Sequence, residues 1–168
     1  GGGNDALAKA AGLENVDILH PQAQDSQGQA YSCNRIGRLP SPMPMAEYLP
    51  FLKERLRANG LRYHDAGRPV SLVAVVGGAG GGDLEHAIAA GCDTFISSDI
   101  KYDTFLAAKE AKINLIDADH FCTENVVTPV LEGLLKERFP QVLSTISKRH
   151  GQISQFFVKL TFIYGCLH

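Results

Sequence analysis

"VSLVAVVGGAGGGDLEHAIAAGCDTFISSDIKYDTFLAAKEAKINLIDADHFCTEN", Val70 to Asn125, decides the fold. "VSLVAVV" is an unbroken apolar run rich in β-branched residues, as a strand covered on both faces requires. A glycine-rich turn leads from it into the helical stretch "DLEHAIAAG". "DTFISS" and "INLIDA" repeat the strand pattern, each followed by a helical one: "IKYDTFLAAKEA", then "TENVVTPVLEGLLKERF" as a single long helix. This alternation predicts β-α-β crossovers and an α/β fold built around a mixed, largely parallel sheet.

Outside this block the pattern is weaker. "NDALAKAAGL" (Asn4 to Leu13) reads as a short helix with Asn4 as N-cap and Gly12 as its stop. "VDILHP" and "QAYSCNRIGRLP" read as strands or extended loops, and "PSPMP" (Pro40 to Pro44) as a connector. "MAEYLPFLKERLRAN" resumes a helical pattern, with Pro50 in its first turn or kinking it. "QVLSTIS" and "QISQFFVKL" read as β-rich runs.

Composition narrows the function. The 168 residues suit one domain or part of a larger one, and the first residue is Gly1, which suggests a fragment. Hydrophobic residues make up 45% and charged residues 20%, as in globular proteins, and the net charge of -2 supplies no attraction to nucleic acid or to an acidic membrane surface. No apolar run approaches the roughly 20 residues of a membrane span. Cys33, Cys92, Cys122 and Cys166 form no C-x-x-C pair, so a reducing, cytoplasmic location is expected.

Acidic and imidazole side chains gather at the ends of the second and third strands. Asp99 follows one; Asp117 and Asp119 close the other. In open α/β sheets ligands collect at that edge, although acids there also serve as helix N-caps. His120 and Glu124 are four apart, so on a helix beginning near His120 they share a face and can meet one cation. Imidazole plus carboxylate suits zinc, manganese or iron, while the same pair also occurs as a plain surface pair. The glycine turn fits G-x-G-x-x-G only imperfectly and lacks a following G-K-[ST]. It reads as a tight turn with Asp83 as N-cap or first-turn acid, the alternative being a nucleotide phosphate cradle at Gly77–Gly82. His20, His64, His86 and His150 read as surface or packing residues.

The stretch "VAVVGGAGGGDLEHAIAAGCDTFISSDIKYDTFLAAKEAKINLIDADHFCTE" resembles the carboxy-terminal half of the dinuclear-metal-centre hexameric family (Nif-three-like), whose members are often labelled GTP cyclohydrolase 1 type 2 homologues. "NRIGRL" is similar to that family's G-x-G-R-x-G segment, and "GGGNDALAKAAGL" to its "GGVNDxLAxxLGL". The resemblance covers residues 1–157 as the carboxy-terminal portion of a family domain; the tail 158–168, "VKLTFIYGCLH", is atypical. It implies half of a two-part metal-binding fold. His120 and Glu124 would be metal ligands, and a His-His pair and an aspartate would come from an amino-terminal half. Two divalent ions per subunit, zinc, manganese or iron, would bridge the halves. It further implies a cytoplasmic homohexamer and a metal-dependent hydrolase acting on a nucleotide or related small molecule. The alternative is a non-catalytic, metal-binding oligomeric scaffold or regulatory protein. Asp99 would take a supporting polar role. Departures from the family pattern are Ser98 and Asp119 for glycines, and Asp103 where a histidine beside the metal ligands is usual.

Overall fold

The structure, a computed structural model, describes residues 2–157. The chain runs α1 (Gly3–Ala10), β1 (Glu14–Asp17), β2 (Ala23–Gln24), β3 (Ala30–Tyr31), β4 (Arg35–Met43), α2 (Met45–Leu56), β5 (Arg62–His64) and β6 (Val70–Val75). A 3-10 turn at Gly81–Asp83 then precedes α3 (Leu84–Ala89), β7 (Thr94–Ser97), α4 (Tyr102–Ala111), β8 (Asn114–Asp117), α5 (His120–Asn125) and α6 (Thr128–Arg138). Six strands form one sheet in the order β1-β4-β6-β7-β8-β5, and β2 and β3 make a separate ribbon. The sheet is mixed, as expected for this α/β chain, but it is not largely parallel: three of its five described strand pairings are antiparallel. Parallel neighbours need a crossover connection, and only β6-β7 and β7-β8 are neighbours linked directly through a helix. Its parallel part is the central trio β6-β7-β8, which β4 and β5 flank antiparallel, and β1 pairs antiparallel with β4 at the outer edge.

The central strands read as continuous apolar runs because both of their faces are covered. Val73 and Val75 of β6, Ile96 of β7 and Ile116 of β8 point into one cluster with Leu7, Ala8, Tyr48 and Leu52 of α1 and α2. Their neighbours Ala74, Phe95 and Leu115 point the other way, onto Leu84 and Ala87 of α3 and Ala108 of α4. Adjacent residues of one strand thus serve opposite layers. Each buried branched or aromatic side chain contributes about 1.5–3 kcal/mol. Tyr48 is fully buried and donates its hydroxyl to the Ala11 carbonyl at 2.9 Å, which joins α2 to the end of α1.

Several expectations need correction. The N-cap of α1 is Gly2, whose N–H donates to Asp5 Oδ2 at 2.6 Å; Asn4 lies within the first turn. "PSPMP" is no connector, because β4 runs through to Met43. Proline suits an extended backbone but donates nothing, and the ladder to β6 accordingly skips from Arg38 to Met43. Pro50 is the sixth residue of α2, beyond its first turn, so the Ala46 carbonyl lacks its usual helical donor. The long third helix is two helices, separated at Val126–Val127. Pro129 sits in the first turn of α6, where its missing N–H costs nothing, and β-branched residues on both sides favour the break there.

No strand forms among residues 141–157. A strand needs an edge to pair with, and side chains hold this segment instead. The Asn59 N–H donates to Gln152 Oε1 at 2.6 Å and its Nδ2 to the Ser154 carbonyl at 2.9 Å. The expected strand at "QISQFFVKL" extends past Phe157, and with the tail 158–168 that part lies outside the described residues. Among the described residues Cys33, Cys92 and Cys122 are free thiols. Burial pushes the Cys92 thiol up to about 11 and the Cys122 thiol up to about 12. No helix among the described residues is long and apolar enough to cross a membrane.

Candidate metal site

The carboxyl ends of β7 and β8 lie side by side, with Ser97 paired to Asp117, and their following loops meet there. Asp119 at φ 67° ends the second loop, and its Oδ1 accepts from the Cys122 N–H at 3.2 Å. That N-cap fixes the start of α5 at His120, so His120 and Glu124 stand one turn apart on one face, as their spacing predicts. His120 Nε2 is 3.2 Å from Glu124 Oε1, and His120 Nδ1 is 2.6 Å from Asp99 Oδ2. All three side chains are about half exposed. The Asp99 hydrogen bond, joined by the charge of Glu124 and opposed by partial burial, holds the imidazolium above its ordinary pKa.

The other two strand-end acids are absorbed structurally. Asp117 Oδ2 pairs with Arg62 and accepts from the Ile100 N–H at 3.1 Å. Asp119 is the N-cap just described. Asp103, an exposed first-turn acid of α4, accepts from the Thr104 N–H.

The glycine turn closes the site from above. Gly78 has φ +68°, and a Cβ there would come within 2.7 Å of Glu124 Oε1 and 3.2 Å of His120 Nε2. Three of the turn's amides are engaged: the Gly77 N–H donates to Asn4 Oδ1 at 2.6 Å, Gly78 to Thr123 Oγ1 at 3.0 Å and Gly80 to Ser97 Oγ at 2.9 Å. The Gly78 carbonyl accepts from Ser98 Oγ at 2.6 Å and from the Ser98 N–H at 3.0 Å. A phosphate cradled by these three amides would have to displace these bonds, which favours the tight-turn reading for Gly77, Gly78 and Gly80. Asp83 accepts from Asn34 Nδ2 at 3.2 Å at the start of α3. Sequence reasoning missed the clamp of Asn4, Ser97, Ser98 and Thr123. The one local signal was a pair of serines and a threonine directly beside Asp99 and Glu124.

A divalent cation would find two donors here. The imidazole nitrogen and the carboxylate oxygen converge, their types suit zinc, manganese or iron, and the absent Cβ of Gly78 leaves room beside them. Among the described residues no group of three or more His, Cys, Asp or Glu side chains is disposed to hold an ion. The arrangement is therefore a pair of donors, short of the three or four protein ligands of a zinc site.

Residues 1–151 match the Duf34/NIF3 (NGG1p interacting factor 3) family. A Pseudomonas aeruginosa relative, named GTP cyclohydrolase 1 type 2 homolog, is 31% identical over 138 residues, which is 82% of this chain and 52% of the relative. The chain spans about half the length of curated relatives such as this one. Among solved structures, a Staphylococcus aureus hypothetical protein, SA1388, superposes with TM-score 0.73 at 25% identity, covering 83% of this chain and 57% of that one. A Bacillus cereus protein related to NIF3 reaches TM-score 0.84 at 17% identity over 93% of this chain and 70% of its own, a likeness of fold.

Proposed function

This chain belongs to the Duf34/NIF3 family, and on that premise we propose that it carries half of a dinuclear metal site in a metal-dependent hydrolase acting on a nucleotide or related small molecule. The observation that carries the reading is the convergence of His120 Nε2 and Glu124 Oε1, 3.2 Å apart, beneath a glycine whose side chain would have filled the space. His120 and Glu124 would hold a divalent ion through one nitrogen and one oxygen. A bound ion of this kind lowers the pKa of water and polarises a substrate oxygen. The chain's own contribution is positional. The Asp119 cap sets the first turn of α5, and the clamp of Ser98 and Thr123 fixes the glycine turn above it. The His-His pair and aspartate that the family resemblance implies would come from the remaining length of a family-sized protein, assembled as a cytoplasmic homohexamer.

A non-catalytic scaffold is the second reading, and the apolar side chains that α6 leaves exposed favour it. Joining this chain to an amino-terminal half with the missing ligands separates the two. Elemental analysis is expected to give two ions per subunit, lowered by His120→Ala or Glu124→Ala, with turnover of GTP or a related nucleotide that chelator abolishes. Full occupancy without turnover of any nucleotide tested would establish the scaffold. Unchanged occupancy in both variants would remove the metal site altogether.

A further inference from the structure

We propose that Asp99 is a positioning residue that fixes the tautomer of His120, placing the ring proton on Nδ1 and keeping the Nε2 lone pair free on the side of Glu124. The inference rests on the reading of His120 and Glu124 as metal donors, and deepens it. A neutral imidazole carries one N–H, and only the other nitrogen can bind a cation. Two carboxylates compete for that proton. Asp99 Oδ2 is 2.6 Å from Nδ1, and Glu124 Oε1 is 3.2 Å from Nε2. The shorter charge-assisted bond is the stronger one, so the proton stays on Nδ1. Metal-binding histidines in general are oriented by such a carboxylate on their second nitrogen.

The backbone around Asp99 supports this role. Asp99 lies in the left-handed region at φ 51°, a conformation costly for a residue with a side chain. Both neighbours are pinned. Ser98 is tied to the Gly78 carbonyl through its N–H at 3.0 Å and its hydroxyl at 2.6 Å, and the Ile100 N–H donates to Asp117 Oδ2 at 3.1 Å. Between these anchors the carboxylate of Asp99 reaches His120 from the end of a neighbouring strand.

Nitrogen-15 NMR of the metal-free full chain, recorded above the titration of its histidines, reads the tautomer directly. Wild-type protein is expected to show the Nδ1–H form of His120. Asp99→Asn, which keeps an acceptor oxygen, should retain that form, and Asp99→Ala should shift the population towards Nε2–H. An Nε2–H wild type, or an unchanged tautomer in a folded Asp99→Ala protein, overturns the proposal. Titration with zinc alone then tests the reading beneath it. Affinity should fall about 10–100-fold in Asp99→Ala and be restored in part by Asp99→Asn. Zinc binding that is indifferent to His120→Ala, with the tautomer still controlled by Asp99, would sink the metal reading while leaving the tautomer assignment intact.

Discussion

At Gly78 a single missing carbon leaves the space beside His120 Nε2 and Glu124 Oε1 open. A side chain there would be strained by the positive φ and would press on both Glu124 Oε1 and His120 Nε2. Gly78→Ala is therefore expected to lower stability by about 1–2 kcal/mol from the backbone alone. It should also displace Glu124, so any zinc binding falls with it; denaturant titration and calorimetry measure the two effects separately. A Gly78→Ala protein as stable as wild type, with unchanged zinc affinity, would mean that the turn does not abut the donors. His120 and Glu124 were legible because a four-residue spacing after a strand is a local pattern. Asp99 was half legible, from its position at a strand end. Gly78, Ser98 and Thr123 were not, because their roles depend on bonds between residues 20 to 45 positions apart.

Between elements, α1 is fastened to β4 by one ion pair that also closes the helix start. Asp5 Oδ1 meets Arg35 Nε at 2.5 Å while Asp5 Oδ2 accepts from the Gly2 N–H. The Arg35 hydrogen bond holds the Asp5 carboxyl below its ordinary value of 3.8 against an opposing effect of burial. A depressed carboxylate pKa stabilises the fold above the unfolded value, and that stability is lost as pH falls from there through the folded pKa. Asp5→Asn should therefore cost about 1 kcal/mol or less near neutrality, since Asp5 is 35% exposed and water screens the pair. The difference from wild type should shrink below pH 3.8, and urea unfolding at several pH values checks it. The strand–helix block from Val70 was readable from periodicity because its elements are covered on both faces. The three-residue β5 and the division of α5 from α6 were not, since pairing across the sheet decides the first and Pro129 the second.

On the scale of the whole molecule, α6 is a helix with no buried residue. Val130, Leu131, Leu134 and Leu135 are each about half exposed, and Phe139 follows directly. Apolar surface of this extent drives association. Light scattering is expected to show concentration-dependent self-association, reduced by Leu131→Glu with Leu134→Glu, while a monodisperse wild-type monomer at high concentration would refute it. The order of the sheet has a consequence for biosynthesis. β5 is made before β6, yet Arg62 pairs with Asp117, 55 residues later. At about 5–20 residues per second, Asp117 is added roughly 3–11 s after Arg62. Throughout that interval β5 has no ladder to join, because β8 is its partner in the sheet. The far edge of the sheet is therefore the last part to be completed as the nascent chain folds, and a ribosome stalled before Asp117 would display a molecule whose Arg62 still lacks its counter-charge.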